Sequence, residues 1–450
     1  RAVVARCSMV EDSVTITRAW VLTMLGGLHY GYHIGVVAAA APGIAEHLGK
    51  DLQSMEVASA LALAGAIAGS PLSGVTCERF GRRVGTVVGE TIGLLGALCC
   101  AAASGYRAIW AGRLLVGLGI GFCTLAKPLY IQETVGSAGR PILAGFAPAV
   151  AAGVLLSKAC RGLHWRVAFA LGALPAVSLL AVAALWMPES PAWLRARTSL
   201  TTASGARKPP GGRRPSDVRG LVLATTLGLA NQATGSYAYV VYTDLLFRGA
   251  QAELFTMLVS ASSVLGALLV VPLMSCSRSR ALMVGGLLLM AMLSLGSSLV
   301  SLGSSGVRTV SGVSGVSGVS GISGVLPPRT AEVAMLVLSG AWALTYQVGP
   351  GAGYFATIVY VGDDHSRALL TAVGNSVRYA AELGSSLCLY SVVDEVGLPA
   401  ALGFYGLLAL GCAAVLGCLL PEMGARSPEM GARSSQHGTT SPSRSAPGLL

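Results

Sequence analysis

Residues 76–83 read Thr76-Cys77-Glu78-Arg79-Phe80-Gly81-Arg82-Arg83, a knot of charge set between two long apolar stretches. Only 11% of the 450 residues are charged and 53% are hydrophobic, so the meaning of the knot depends on its surroundings. A soluble protein of this length covers its surface with far more charge. Long apolar runs broken by short polar pieces describe a chain that crosses a bilayer several times. The formal charge of +11 then reads as basic loops against anionic lipid, and no nucleic acid is expected as a partner. Ten cysteines are scattered, several inside apolar runs (Cys99, Cys100, Cys123, Cys388, Cys412, Cys418). None has metal-ligand spacing, so they read as small packing residues.

A hydrocarbon core about 30 Å thick takes roughly 20 apolar residues of helix. That ruler places spans at 19–41, 56–75, 84–104, 108–131, 141–160 and 165–187. A second set falls at 220–244, 254–274, 281–303, 331–357, 368–392 and 399–420. The expected fold class is an all-α polytopic membrane protein with twelve transmembrane helices in two six-helix halves. Its expected domains are a cytoplasmic tail (1–18), an N-terminal half (19–187), a basic cytoplasmic linker (188–218), a C-terminal half (219–420) and a cytoplasmic tail (421–450). With both termini inside, 20 Lys and Arg face the cytoplasm and eight face outward, the asymmetry that sets orientation. Two low-complexity pieces, a Ser/Gly/Val repeat within an insert at 306–328 and a tandem PEMGARS at 421–434, read as flexible segments.

In this topology the opening stretch is a short cytoplasmic loop between the second and third spans. Gly81 permits a tight reversal, while Arg79, Arg82 and Arg83 reach helix-end carbonyls and acidic partners. The run Glu78-Arg79-Phe80-Gly81-Arg82-Arg83 resembles the loop signature of the sugar porter branch of the major facilitator superfamily. Further landmarks follow in order. They are Gly112-Arg113-Leu114-Leu115-Val116-Gly117-Leu118-Gly119-Ile120-Gly121, Pro128-Leu129-Tyr130-Ile131-Gln132-Glu133 with Arg140, Pro188-Glu189-Ser190-Pro191-Ala192-Trp193-Leu194, and Leu420-Pro421-Glu422. The resemblance implies the major facilitator fold, working by alternating access around a site at the bilayer midplane. It further implies cytoplasmic interdomain locks, with Glu78, Glu133 and Glu189 facing Arg79, Arg82, Arg83, Arg113 and Arg140, and with Arg367 keeping its family spacing. The second half departs from the pattern. Ser275-Cys276-Ser277-Arg278-Ser279-Arg280 lacks the acid and the glycine of the repeated loop, and Tyr360 stands where a glutamate is expected.

The resemblance also implies a sugar site. Sugar hydroxyls need neutral donors and acceptors together with an aromatic face. Asn231, Gln232 and Tyr237 occupy the seventh-helix positions of that site, and Gln347 and Phe355 the tenth-helix positions. Pro148 falls where the family has a glutamine in the fifth helix. Two placements are unusual. Arg378 and Glu382 share a helix face four residues apart; paired they brace the bundle, and unpaired Arg378 favours a carboxylate or phosphate. His33 replaces the aspartate of proton-coupled members and the asparagine of facilitative ones, which makes it a candidate for proton coupling. With no acid there, facilitated diffusion of a hexose or related polyol is the first expectation.

The alternatives are a proton-coupled symporter, a carrier of an acidic substrate, and a non-transporting nutrient sensor or degenerate paralogue. No Ser-His-Asp, metal or phosphate-loop constellation stands in its expected context. No enzyme activity, cofactor or metal site is therefore expected. The partners expected are a small sugar and the lipid bilayer, with a monomer as the working unit. The plasma membrane is the default location and an organellar membrane the alternative.

Overall fold

The computed structural model describes residues 2–49, 52–202, 215–233, 235–236, 252–276, 279–303, 327–363 and 366–421. Its named elements are all helices. The first half holds α1 (Ala2–Leu48), α2 (Leu52–Phe80), α3 (Arg82–Ala101), α4 (Tyr106–Val135), α5 (Gly139–Ala144), α6 (Phe146–Ala159), α7 (Trp165–Leu171) and α8 (Ala173–Leu185). Helix α9 (Pro191–Thr202) follows. The second half holds α10 (Pro215–Ala233), α11 (Ala252–Cys276), α12 (Ser279–Gly303), α13 (Pro328–Tyr346), α14 (Ala352–Ile358), α15 (Arg367–Val396) and α16 (Leu398–Leu419). Helix covers each of the twelve expected spans to within a few residues wherever that span is described. Seven helical stretches among the described residues are long and apolar enough to cross a bilayer. Large apolar side chains such as Leu72, Leu174, Leu268, Met292 and Leu407 stand on the outer surface, where hydrocarbon takes the place of water. The chain is a multi-pass integral membrane protein.

Two segments differ from the expected divisions. Residues 2–18 continue α1 instead of forming a separate tail, because nothing from Ala2 to Leu25 is Gly or Pro to break the helix. Part of the expected linker is α9. Pro191 occupies its first turn and the Ser190 hydroxyl accepts from Trp193 N at 3.3 Å, a serine cap followed by a pre-set proline.

Local chemistry also decides where spans bend. Pro148 lacks an N–H and crowds the carbonyl of residue 144, and the fifth span breaks at Gly145 into α5 and α6. The tenth span breaks at Gln347–Gly351, a π-helical turn containing Pro350 in which Gly349 leaves helical geometry (φ −96°, ψ −106°). The Gly-rich run of α4 serves close packing. A Cβ on Gly117 would lie 2.0 Å from the Ala62 carbonyl oxygen, so α2 and α4 touch backbone to backbone. The halves meet where α15 packs on α2 and α4, and where α14 and α11 pack on α5.

Candidate substrate site and the arginine knot

Arg82 forms the centre of the opening stretch. It is buried, and its Nε and Nη2 grip the Glu133 carboxylate at 2.9 and 2.7 Å. Nη1 donates to the Cys77 carbonyl at 3.0 Å and Nη2 also to Glu78 at 3.1 Å. Glu133 in turn accepts from the Ser190 hydroxyl. Glu189 caps α3, accepting from the backbone of Arg82 at 2.7 Å and of Arg83 at 3.2 Å, where the helix dipole favours an anion. Gly81 has φ +102°, and a Cβ there would lie 2.2 Å from Glu189 Oε2, so the glycine makes the cap possible. Arg83 donates to the Ala183 carbonyl at 2.9 Å and to the Ala184 carbonyl, closing the end of α8. Trp193 Nε1 donates to the Glu78 carbonyl at 3.0 Å and pins α9 against α2.

These contacts join α2, α3, α4, α8 and α9, all outside the second half. The expected interdomain lock is therefore an intradomain knot. Three of its expected members, Arg113, Arg79 and Arg140, stand elsewhere. Arg113 is buried deeper in α4 and donates to the His33 carbonyl at 3.0 Å, since its helix position lies several turns from Glu133. Arg79 is exposed, its guanidinium 5.3 Å from the Phe80 ring. At the same end of the bundle the halves meet through Tyr360. Its hydroxyl donates to the Gly136 carbonyl at 2.6 Å, and Arg140 lies 4.7 Å over its ring. Burial pushes the Tyr360 phenol up to about 12, against the opposing pull of Arg140 and Arg367, so the donor is intact throughout the physiological range. Arg367 opens α15 beside this contact, its backbone N–H donating to the Asp363 carbonyl at 3.0 Å. In the second half Arg280 and Arg219 donate to the carbonyls of Gly417 and Leu419, capping α16.

Two small adjoining clefts of about 10 Å³ each lie in the bundle, walled by Tyr30, Phe146 and Phe355 and by Lys127 and His29. Phe146 and Phe355 close on each other across the halves with ring centroids 4.5 Å apart. Asn231 donates to the Pro350 carbonyl at 2.9 Å, satisfying a backbone oxygen at the break in the tenth span. Gln232 donates to Glu382 at 3.3 Å and accepts from Ser236 at 2.7 Å. Gln347 starts the π turn, packed against Gly266 of α11. Arg378 is buried, with Nη1 at 3.3 Å from the Tyr30 hydroxyl and 3.7 Å from Glu382. Tyr237 lies outside the described residues.

Beside the clefts sits a cluster that sequence reasoning passed over. Glu90, fully buried on α3, accepts from Lys127 Nζ at 2.7 Å and from the Cys123 thiol at 2.8 Å. His29 Nδ1 lies 2.9 Å from its other oxygen. His33 is next to it, with ring centroids 4.8 Å apart, and neither His33 ring nitrogen has a hydrogen-bond partner among the described residues. The signal was available: Glu90 and Lys127 are opposite charges placed well inside two neighbouring spans, where an ionisable group is expensive unless paired. A further network ties the halves together. Tyr354 donates to Asn375, Asn375 to the Thr124 carbonyl and Tyr379 to the Thr124 hydroxyl, at 2.8, 3.1 and 3.2 Å.

Residues 19–208 match the family described as sugar (and other) transporter. Plastidic glucose transporter 4 of Arabidopsis thaliana is 28% identical, the match covering 89% of this chain and 77% of that protein. Probable inositol transporter 3 of Arabidopsis thaliana is 32% identical over 41% of this chain and 36% of its own length. Among solved structures, the major facilitator superfamily proton:xylose symporter XylE bound to 6-bromo-6-deoxy-D-glucose superposes with a TM-score of 0.75. That superposition covers 92% of this chain and 98% of the symporter at 17% identity.

Proposed function

We propose that the chain is a sugar porter of the major facilitator superfamily, on its match to the sugar (and other) transporter family over residues 19–208, and that it carries a hexose or related polyol by alternating access, as facilitated diffusion. One observation carries the reading. The broken tenth span delivers Phe355 of the second half against Phe146 of the first, over a small cleft that both rings line, and the meeting of the halves is where a rocking carrier holds its substrate. Tyr30 lines the adjoining cleft; with Asn231, Gln232 and Gln347 of the seventh and tenth spans it makes the set of neutral donors and acceptors assigned to the substrate, and the rings make the apolar face. His33 supports diffusion over symport. It is an imidazole where an acid would stand, and Arg113 binds its backbone oxygen instead of its side chain. The protein works as a monomer, and the Arg82 end faces the cytoplasm. An organellar envelope is the favoured location, on the likeness to a relative named plastidic.

Uptake of labelled glucose and myo-inositol into proteoliposomes, with and without an inward proton gradient, tests this. Uptake that equilibrates and ignores the gradient is expected. Accumulation above equilibrium would overturn uniport, and no uptake of either by folded protein would overturn the transport reading.

Tyr360 is the cytoplasmic gate in this reading. Tyr360→Phe removes one cross-half hydrogen bond worth about 1 kcal/mol, roughly a fivefold shift toward the inward-open state. Spin labels at the exposed Ser137 and Asp363 read that shift as a growing long-distance population. An unchanged distance distribution would show that the bond does not hold the gate.

A further inference from the structure

We propose that Arg378 is the specificity residue of the central site and that it recognises the carboxylate of a sugar acid, so that the carrier accepts a hexuronate as well as neutral polyols. This rests on the transport reading above and deepens it. The Arg378 side chain is 3% exposed, and the two edges of its guanidinium are used unequally. Nη1 is spent on the Tyr30 hydroxyl at 3.3 Å and faces Glu382 at 3.7 Å. Nε and Nη2 are buried with no hydrogen-bond partner among the described residues. Those two N–H groups form the fork that meets both oxygens of a carboxylate in parallel.

The setting keeps that fork rigid and charged. The guanidinium lies 3.9 Å over the Tyr379 ring, with the rings of Phe355, Tyr30 and Tyr354 at 5.5, 5.7 and 5.8 Å. Four aromatic faces favour the cation and offer few acceptors. Two of these rings, Tyr30 and Phe355, are also cleft walls, so the arginine stands immediately behind the surface a substrate touches. Glu382 does not complete the pair. At 3.7 Å it is beyond hydrogen-bond reach, it is shared with Gln232 at 3.3 Å, and its side chain is 14% exposed against 3% for Arg378. A buried donor left unmade is costly, and a ligand with two oxygens at the right spacing repays that cost. Lys127, the cation that lines both clefts, is already engaged by Glu90. Arg378 is thus the group with recognition capacity to spare.

Proteoliposome uptake of labelled D-glucuronate, D-glucose and myo-inositol at neutral pH tests the assignment. The wild type is expected to transport glucuronate. Arg378→Gln is expected to lower kcat/KM for glucuronate about 10- to 100-fold more than for glucose, the range of a charge-assisted hydrogen-bonded pair. Arg378→Lys keeps the charge without the fork and falls between them, and Glu382→Gln raises the preference for glucuronate. Because Arg378→Gln risks misfolding, the wild type alone gives a second readout: glucuronate raises its thermal unfolding temperature in detergent more than glucose does at equal concentration. Glucose or inositol uptake without glucuronate uptake overturns the proposal and leaves the transport reading standing. An equal loss for all substrates in Arg378→Gln overturns it in favour of a bracing role on the tyrosine rings. No uptake of any of the three overturns both readings.

Discussion

Replacing Glu90 by glutamine is expected to lower the unfolding temperature in detergent by on the order of 10 °C and to reduce transport to less than about a tenth of wild type. The carboxylate is fully buried and is the anion that neutralises Lys127, at 2.7 Å, with His29 at 2.9 Å beside it. Glutamine keeps the shape and removes the charge, leaving an ammonium inside the bundle with nothing to offset it. Breaking such a pair costs about 3–5 kcal/mol, much more than the intact pair contributes relative to apolar residues. Lys127→Met should do comparable damage by stranding Glu90. The double variant should recover most of the thermal stability, since neither charge is then stranded. Thermal unfolding of the four proteins decides it, and additive single and double effects would show that the two residues do not act as a pair. Transport is a separate matter. Lys127 lines both clefts, so the double variant is expected to fold well and still carry substrate poorly.

A second large effect is expected at Arg82. Its guanidinium meets Glu133 through two nitrogens, Glu78 through one and the Cys77 carbonyl through another. Arg82→Ala strands Glu133, whose side chain is 5% exposed, for a loss of about 3–5 kcal/mol. It also releases α9, because Ser190 bonds to the same carboxylate. Limited proteolysis after Arg195 and Arg197, on α9, is expected to accelerate sharply. Arg82→Lys keeps a charge but not the planar fork and should give an intermediate rate. Cleavage of Arg82→Ala at the wild-type rate would show that α9 is held without the Arg82–Glu133–Ser190 chain, by Trp193 and the Glu189 cap.

How much of this was legible in the sequence follows from how far each contact reaches along the chain. The fold class was legible because hydrocarbon thickness leaves its mark on every span independently. The arginine knot was legible as residues and not as partners. Glu189 and Arg82 stand on motifs that can be recognised separately, yet the sequence does not say that Glu189 takes backbone N–H groups while Glu133 takes the guanidinium. Arg113 shows the same limit. Its motif drew it into a lock that its depth in α4 keeps it from reaching. Glu90 and Lys127 were missed because each looks like a stray charge within an apolar run, and only the packing of α3 on α4 makes them a pair. The Tyr354–Asn375–Thr124 network is more remote still, joining residues up to 251 positions apart.

Tyr360 carries a consequence for the conditions under which the protein works. A carboxylate opposite Arg140 would form a contact between formal charges at an aqueous rim, weakened by dissolved ions whose screening length is about 8 Å at physiological ionic strength. A phenol bonded to a carbonyl, with a guanidinium resting on its ring, presents no anion for those ions to screen. What Tyr360 itself adds to the closed state is short-range packing and a neutral bond. Swings in ionic strength therefore bear little on this one contact.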